Sequence, residues 1–234
     1  MKLSIVVPCY DEAENIPLIL KRFQAAIHRA DIEVILVDNG SRDNTQDVLA
    51  ALLPKYSFAK SIYVKVNRGY GYGIVQGLKV CQGKFIGWTH ADMQTDPADL
   101  LKVLHIIEKY HEDEMLFVKG TRFGRPLSDR IFTVGMSIFE TAYLRVKLQD
   151  INAQPNVFSR KFFDTWQNPP KDFALDLYAL YMAQKQNLNI RRFPVVFPQR
   201  IHGASHWNHG LAAKGRFIKR TLVFSRKLKK GGIC

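Results

Sequence analysis

The sequence predicts an α/β protein with a mostly parallel sheet that carries helices on both faces. Short β-branched runs, such as residues 3–7 and 33–37, alternate with segments whose apolar residues recur at helical spacing. Polar clusters follow several of these runs directly, where the strands are expected to end. The 234 residues, 47% hydrophobic and 24% charged, suffice for a core without disulfides and exclude disordered, collagen-like and coiled-coil classes.

The first half of the chain contains five predicted strands separated by helices. Pro8 stops the first strand, and apolar residues at helical spacing predict a helix from Ile16 to Ile27. Glycines from Gly69 onward lead into a further helix. Residues 96–99 predict a helix start, because a capping Asp precedes Pro at the first helical position. The predicted strands are residues 3–7, 33–37, 61–66, 84–89 and 115–118.

The second half of the chain is less regular. A loop rich in Pro, Gly and Arg covers residues 122–129. No segment has the composition of a linker, so a single domain with a basic helical extension at its C-terminal end is predicted. The predicted elements are helices at residues 131–148, 172–186 and 211–228 and a strand at residues 190–197.

Positive charge is concentrated near the C-terminus. The net charge is +13, yet residues 178–234 hold 12 Lys and Arg and no Asp or Glu, and the rest of the chain carries only +1. This distribution predicts an anionic partner for the last quarter, such as nucleic acid, a phospholipid surface or a phosphorylated substrate. Cations and apolar residues interleave in residues 214–227, as in membrane-surface helices, although Phe217, Leu222 and Phe224 would equally suit packing on the domain.

The cysteines and the N-terminus favour a cytoplasmic protein. Cys9, Cys81 and Cys234 are odd in number and far apart, which fits reduced thiols better than a disulfide framework. The N-terminal apolar run is too short for a signal peptide, and no window reaches the ~18 apolar residues of a transmembrane helix.

Four polar clusters follow predicted strands directly, at residues 8–10, 38–40, 67–69 and 90–92. Because ligands of parallel α/β sheets bind beyond the carboxyl ends of the strands, these clusters are expected to form one site. His90, Asp92 and Gln94 occupy alternate positions, so an extended backbone would direct these metal-capable side chains the same way. With Asp38 nearby they predict a turn that holds a divalent ion against a nucleotide diphosphate. The alternative is a solvated turn before a capped helix.

Four ordered motifs give this site a family context. They are Val-Val-Pro-Cys-Tyr-Asp-Glu at residues 6–12, Val-Asp-Asn-Gly-Ser-Arg-Asp at 37–43, Asn-Arg-Gly-Tyr-Gly at 67–71 and Ala-Asp-Met-Gln-Thr-Asp-Pro at 91–97. Together they resemble glycosyltransferase family 2, in the branch that contains dolichol-phosphate mannose synthase and the bacterial polyprenyl-phosphate glycosyltransferases. The resemblance continues through residues 120–122, Asp150 with Phe158, and residues 200–205, so it spans nearly the whole chain.

The resemblance implies a GT-A (Rossmann-like) domain over residues 1–207, followed by a basic amphipathic segment at residues 208–234. Residues 1–119 would be the nucleotide-sugar-binding half and residues 120–207 the acceptor side. The implied activity is that of an inverting hexosyltransferase that depends on Mn²⁺ or Mg²⁺. The implied donor is a nucleotide-diphosphate sugar. The implied acceptor is dolichyl or undecaprenyl phosphate, reached by peripheral binding to the cytoplasmic face of a membrane.

Residue roles follow from the resemblance by position. The implied nucleotide-sugar site consists of Pro8, Tyr10, Glu12, Val37, Asp38, Ala91 and Ser205. The implied metal site consists of Asp92, Gln94 and His90. The implied catalytic residues are Asp92, Arg122 and Arg200. The two guanidinium groups suit donor or acceptor phosphates, because their fixed fork binds phosphate oxygens in pairs.

The sequence departs from the family pattern in two places. His90 replaces the first Asp of the usual Asp-x-Asp motif, which removes a negative charge. A neutral imidazole would still ligate a metal and would favour manganese, and the alternative is that His90 contacts no metal. A further alternative, suggested by His90 alone, is a catalytically silent relative. Arg130 and Thr133 are one position out of register with an Arg and a Ser of the dolichol-phosphate branch.

The acceptor decides whether a general base is needed. A polyprenyl phosphate is already an anion, whereas a hydroxyl acceptor in polysaccharide or glycolipid synthesis would need a carboxylate, with Asp172 and Asp176 as candidates. The alternative for these two acids is a helix cap and a surface acid. A nucleotidyltransferase is disfavoured because no glycine-rich loop follows the first strand, and a nucleic-acid partner because residues 1–176 are nearly neutral.

Overall fold

The computed structural model describes residues 1–91, 94–124, 126–196 and 210–230, which form one sheet with helices on both faces. The strands are β1 (Leu3–Cys9), β2 (Ile32–Asp38), β3 (Ala59–Tyr63), β4 (Phe85–Trp88), β5 (Leu116–Phe123), β6 (Asn156–Ser159) and β7 (Asn189–Val196). Their order in the seven-stranded sheet is β3-β2-β1-β4-β6-β5-β7.

Eight helices accompany these strands within the described residues. They are α1 (Ile16–Ala26), α2 (Thr45–Leu52), α3 (Tyr70–Val80), α4 (Asp99–Lys109), α5 (Leu127–Leu144), α6 (Arg160–Asp164), α7 (Leu175–Lys185) and α8 (Gly210–Lys229). A short 3-10 turn at Leu53–Lys55 extends α2. In this part of the chain, no helix combines the length and the apolar character that a membrane crossing requires.

The predicted, mostly parallel sheet is confirmed. Described strand pairings are parallel except those of β6, which runs antiparallel to β4 and β5. The sequence did not predict β6, because four residues that are all buried show no alternation. β6 approaches β4 so closely that a Cβ on Gly87 would lie 2.0 Å from the Asn156 carbonyl oxygen.

The sheet separates two apolar clusters, as expected for strands covered on both faces. In β1, Ile5 and Val7 pack into the cluster beneath α1 and α4, whereas Val6 packs into the cluster beneath α3 and α7. In β2, Val34 packs into the cluster beneath α1 and α4, and Ile35 packs into the cluster beneath α3 and α7. This alternation follows from the two-residue period of a strand, and it explains why both faces of the sheet are covered by helices.

Several predicted boundaries move because loops form specific turns. α4 begins at Asp99 rather than at Pro97, since Asp96 Oδ1 accepts the Ala98 amide at 3.0 Å in a turn before the helix. α7 begins at Leu175 because Asp172 forms the equivalent turn. β5 continues to Phe123 rather than ending at Val118, since it pairs with β7 over its whole length. α5 is predicted at 131–148 and lies at Leu127–Leu144.

Candidate active site

The carboxyl ends of β1 and β2 lie side by side and carry the first two polar clusters. Cys9 pairs with Asp38 in the parallel register. The loops beyond them are joined as well. The Arg42 amide donates to Asp11 Oδ1 at 2.7 Å, and the Asp11 amide donates to Ser41 Oγ at 3.0 Å. The sheet and these hydrogen bonds therefore hold the two loops as one wall of the candidate site.

Two buried oxygens on this wall lack a hydrogen-bond partner among the described residues. Asp38 is 2% exposed, and its Oδ1 accepts the Ser41 amide at 2.9 Å while its Oδ2 is unpaired. Asn39 donates from Nδ2 to the Gly69 carbonyl at 3.1 Å, and its Oδ1 is unpaired. A buried polar atom without a partner costs ~1–3 kcal/mol, so these oxygens are suited to accept N–H or O–H groups of a ligand.

The remaining residues of the first two motifs differ in accessibility. Pro8, Tyr10 and Glu12 are half-buried. Glu12 Oε2 accepts Asn15 Nδ2 at 2.5 Å, which holds the carboxylate against the start of α1. The Val37 side chain packs wholly inside the core, so its backbone is the part that faces the carboxyl end of the sheet.

A turn follows β4, where the metal-capable residues were predicted. His90 is half-buried, and its ring lies 6.3 Å from the Tyr70 ring, centroid to centroid. Thr95 Oγ1 donates to the His90 carbonyl at 3.4 Å, which closes the turn. Gln94 is half-buried and Ala91 is buried. The described residues contain no cluster of three His, Cys, Asp or Glu suited to a metal, but Asp92 lies outside them.

Asp176 is a buried acceptor beneath this turn. It is 3% exposed, and its Oδ1 accepts hydrogen bonds from Trp88 Nε1 at 3.3 Å, Gln154 Nε2 at 2.8 Å and Asn156 Nδ2 at 3.0 Å. Its interpretation as a surface acid is therefore wrong, because the helical period of α7 turns it into the core. The interpretation of Asp172 as a helix cap is also wrong, because the N-cap position of α7 is Ala174; Asp172 Oδ1 instead accepts the Ala174 amide at 3.0 Å in a turn before the helix.

A fully buried lysine completes this polar network. Lys119 donates from Nζ to the Ala153 carbonyl at 2.7 Å and to Asn156 Oδ1 at 2.5 Å, so Asn156 bridges it to Asp176. Burial lowers the pKa of the Lys119 ammonium to about 7. Burial also raises the pKa of the Asp176 carboxyl. The network joins β4, β5, β6 and α7 directly beneath the candidate site.

Arg122 forms a buried ion pair at the carboxyl end of β5. Its Nε donates to Asp150 Oδ1 at 2.9 Å and its amide to Oδ2 at 2.8 Å, and the two side chains are 8% and 10% exposed. Burial acts to raise the pKa of Asp150, but the guanidinium opposes it, and the net pKa is lowered. The pair fixes the orientation of Arg122 at the edge of the site.

This ion pair predicts a loss of stability in acid. The folded-state pKa of Asp150 lies below that of an unfolded aspartate, which is ~3.9. The stabilisation that the ion pair gives to the folded state is therefore complete above pH ~3.9 and is lost as pH falls through the folded-state pKa. We expect Asp150→Asn to be less stable than the wild type at neutral pH and the difference to shrink below about pH 4. Urea unfolding across this range measures it; a constant difference would contradict the assignment.

An aromatic stack lies between the candidate site and α8. The rings of Tyr70 and Phe173 are 4.6 Å apart and 15° from parallel, and the Arg220 guanidinium lies 5.4 Å from the Phe173 centroid. The backbone before Tyr70 approaches the loop that carries Lys171 so closely that it requires glycine at residue 69. The φ of Gly69 is 111°, and a Cβ there would lie 2.3 Å from the Lys171 carbonyl oxygen. A cavity of about 440 Å³ opens beside the stack, lined by Asn168, Pro170, Lys171, Asp172, Arg220, Val223, Phe224 and Lys227.

Comparison of the sequence with protein-family models identifies the family of this chain. The model described as glycosyl transferase family 2 matches residues 4–175, which is most of the chain. The chain belongs to glycosyl transferase family 2. The resemblance drawn from the four motifs is thereby confirmed.

Curated relatives of this family-2 chain include two kinds of polyprenyl-phosphate enzyme. Undecaprenyl-phosphate 4-deoxy-4-formamido-L-arabinose transferase of Pseudomonas syringae is 34% identical over 116 residues, 47% of this chain and 34% of that protein. Dolichyl-phosphate beta-glucosyltransferase of Dictyostelium discoideum is 27% identical over 215 residues, 82% of this chain and 65% of that protein. The chain thus spans between about a third and two thirds of these relatives.

Solved structures confirm the predicted GT-A fold. Glucosyl-3-phosphoglycerate synthase from Mycobacterium tuberculosis, in complex with Mn²⁺, UDP and glucosyl-3-phosphoglycerate, aligns with a TM-score of 0.69 over 98% of this chain and 80% of that one. A second structure, of a mycobacterial protein, aligns with a TM-score of 0.74 over 98% of this chain and 75% of that one. The identities are 17% and 18%, so these neighbours show the fold alone.

Part of the predicted glycosyltransferase site lies outside the described residues. This applies to Asp92, Arg200 and Ser205, whose roles stay predictions. The structure brings Asp38, the His90 turn and Arg122 to the same end of the sheet, since all three follow or end strands there. Arg130 is exposed on α5 and Thr133 is half-buried.

Sequence reasoning missed the buried polar network and the aromatic stack. Lys119 stands within the otherwise apolar run of β5, and a cation in a buried strand was the available signal. Gln154 and Asn156 carry no local pattern that predicts a shared acceptor. Tyr70 belonged to a recognised motif, but its stacking on Phe173 joins residues far apart in sequence.

Proposed function

We propose that this chain transfers a sugar, with inversion, from a nucleotide-diphosphate sugar to a polyprenyl phosphate. Family membership supports sugar transfer, and the names of the two curated relatives support the acceptor. The observation that carries the donor site is the pair of buried, unpaired oxygens of Asp38 and Asn39 at the carboxyl end of β2.

The donor nucleoside is proposed to lie between the loops that follow β1 and β2. Asp38 Oδ2 would accept an N–H or O–H group of the base or ribose, and its pairing would remove the cost of the buried, unsatisfied oxygen. The proposed donor-binding residues are Pro8, Tyr10, Glu12, Val37, Asp38, Ala91 and Ser205.

A divalent ion is proposed on His90, Asp92 and Gln94. Imidazole, carboxylate and amide oxygen form a donor set that suits Mn²⁺, so the residues fit the ion chemically, and Mn²⁺ is proposed rather than Mg²⁺. When bound, the ion would offset the negative charge that develops on the leaving diphosphate.

The described acids favour a phosphate acceptor over a hydroxyl. Asp176 is buried under three N–H donors, and Asp172 accepts the Ala174 amide and lies 3.7 Å from Arg220, so neither is placed as a general base. A phosphate needs none. Its oxygen attacks the anomeric carbon, and the bond from that carbon to the nucleoside diphosphate breaks with its electron pair. Arg122 and Arg200 are proposed to stabilise the phosphate charges.

The place of action is proposed to be the cytoplasmic face of a membrane, with the chain bound peripherally. Residues 1–207 would form the catalytic domain and residues 208–234 the basic segment that approaches the lipid. The charge of the last quarter supports this, since residues 178–234 hold 12 cations and no acid.

Thermal unfolding with a panel of GDP- and UDP-sugars tests the donor assignment. A ligand that binds the folded state raises Tm. At a concentration of 100 times its Kd, the ligand stabilises that state by about 2.7 kcal/mol. We expect one nucleotide to raise Tm in the presence of manganese, with a smaller rise in chelator. No rise with any nucleotide, in a folded sample, would contradict the donor site and favour a catalytically silent relative.

A transfer assay then separates the two acceptor classes. The selected sugar, radiolabelled, is offered to polyprenyl phosphate and to a glycolipid with a free hydroxyl. Transfer to the phosphate supports the proposal, and transfer to the hydroxyl alone overturns it.

A further inference from the structure

Tyr70 connects the first turn of α3 to the start of β6. Its hydroxyl accepts a hydrogen bond from Gln154 Nε2 at 3.3 Å, and Gln154 lies two residues before β6 begins. The first residue of β6, Asn156, pairs with Trp88 at the carboxyl end of β4. In the sheet, β6 and β1 flank β4 on opposite sides. The Tyr70 hydroxyl therefore lies near the carboxyl end of β4, on the side of β6.

Gln154 is held in one orientation by the buried polar network. The residue is 1% exposed. Its Nε2 also donates to Asp176 Oδ1 at 2.8 Å, and its Oε1 accepts Asn156 Nδ2 at 3.0 Å. A side-chain amide has two N–H groups and one oxygen, so these contacts and the one to Tyr70 engage all three. A flipped amide would turn its oxygen towards the Asp176 carboxylate, which disfavours that alternative.

The Tyr70 ring lies beside the turn where the diphosphate is proposed to bind. Its centroid is 6.3 Å from that of the His90 ring. The ring also stacks on Phe173 at 4.6 Å and 15° from parallel. Gln154 at the hydroxyl and Phe173 on the ring thus orient the side chain before any ligand binds, which lowers the entropy that a ligand contact would cost.

The order of the strands gives the direction in which a donor would lie. The proposed function places the nucleoside between the loops that follow β1 and β2, and the diphosphate on the turn that follows β4. The strands lie in the order β2-β1-β4-β6. Because the sugar is attached to the outer phosphate, it would lie beyond this turn, towards β6. The hydroxyl of Tyr70 is on this side.

We propose that Tyr70 contacts the sugar of the nucleotide-diphosphate donor and that Gln154 is a positioning residue that holds Tyr70 for this contact. A phenol suits a sugar, since its hydroxyl forms hydrogen bonds with sugar hydroxyls and its ring offers an apolar surface to sugar C–H groups. The inference deepens the proposed function, on which it rests for the position of the diphosphate.

Titration calorimetry with two ligands tests the contact. They are the nucleotide-sugar selected by thermal unfolding and the nucleoside diphosphate of the same base, each with manganese. Tyr70→Phe removes only the hydroxyl, and Gln154→Met removes the amide that holds it. We expect each variant to lose about five- to tenfold in affinity for the nucleotide-sugar. Affinity for the nucleoside diphosphate should stay within about twofold of the wild type, because that ligand lacks the sugar.

Gln186→Met is the matched control. It makes the same substitution at the opposite end of α7 from Asp176, where Gln186 Nε2 donates to Thr165 Oγ1 at 2.9 Å. This variant should bind both ligands as the wild type does. Circular dichroism checks that each variant is folded. If Gln154→Met does not fold, Gln154→Asn keeps the amide and withdraws it from Tyr70 by one methylene group.

A double variant tests whether Gln154 acts through Tyr70. Tyr70→Phe combined with Gln154→Met should lose no more affinity for the nucleotide-sugar than the weaker of the two single variants, since both changes break the same contact. Additive losses would overturn the positioning role of Gln154. Unchanged affinity in Tyr70→Phe, or an equal loss for the two ligands, would overturn the sugar contact.

The sugar-transfer assay separates this inference from the proposed function. If the variants lose affinity for the nucleotide-sugar alone while the wild type transfers sugar to no polyprenyl phosphate, the sugar contact stands and the proposed acceptor is rejected. If the wild type transfers sugar to polyprenyl phosphate and the variants bind both ligands normally, the proposed function stands and the inference is overturned.

Discussion

Asp92→Asn should lower the rate of sugar transfer by about a thousandfold while the protein remains folded. The reason is the loss of one negative charge at the proposed metal site, where His90 already replaces a second carboxylate. A unit charge at ~4 Å and an effective dielectric constant of ~20 contributes about 4 kcal/mol, and each ~1.4 kcal/mol corresponds to a factor of ten in rate. Steady-state kinetics with manganese measures the loss.

Asp96→Asn is the matched control for this change. It removes a carboxylate from the same turn, but the Asp96 side chain is 58% exposed and its Oδ1 caps the Ala98 amide. We expect transfer by this variant to stay within about twofold of the wild type, since an exposed charge is screened by solvent. Near-normal turnover of Asp92→Asn, with manganese still required, would place the metal on other residues.

Asp176→Ala should lower the free energy of unfolding by about 3–5 kcal/mol. The substitution removes the acceptor of three buried N–H groups, on Trp88, Gln154 and Asn156, and with it a carboxylate that Asn156 bridges to the buried Lys119. Urea unfolding measures the change. If Asp176→Ala does not fold, Asp176→Asn retains an acceptor oxygen and gives a measurable value.

Two comparisons make this prediction specific. Asp172→Ala removes a 40% exposed carboxylate that accepts one backbone amide in the turn before the same helix, and it should cost about 1 kcal/mol. A double-mutant cycle of Asp176→Asn with Lys119→Met should show a coupling of at least ~0.5 kcal/mol, because Asn156 bridges the two groups. Additive changes would mean that the acid and the lysine are independent.

The fold was predictable because its signals are local. The β-branched runs of β1 and β2, the helical spacing from Ile16 and the turn residues at strand ends each depend on neighbours along the chain. β6 was missed because its four residues are paired on both sides and buried throughout, so no alternation marks it. Helix starts moved by a few residues where Asp96 and Asp172 form turns first.

The sequence predicted where the candidate site lies but not all of the residues that form it. Asp38, His90 and Arg122 follow from motifs in which the residues that act together are close in sequence or recur at strand ends. The acceptor network of Asp176 could not be read in this way, since its donors are 88, 22 and 20 residues away. Burial then changed the interpretation of Asp176 from a surface acid to an internal acceptor.

The sequence by itself determined the fold class, the family and the end of the sheet where the candidate site lies, because period, turn chemistry and ordered motifs are properties of a linear chain. Tertiary structure alone decided which polar side chains are buried and which apolar ones are not. The Lys119 ammonium lies inside the core, whereas Ile131 and Ile138 of α5 lie outside it, against the ordinary preference of each residue type. Such reversals depend on what packs against each face, which is a property of the folded molecule.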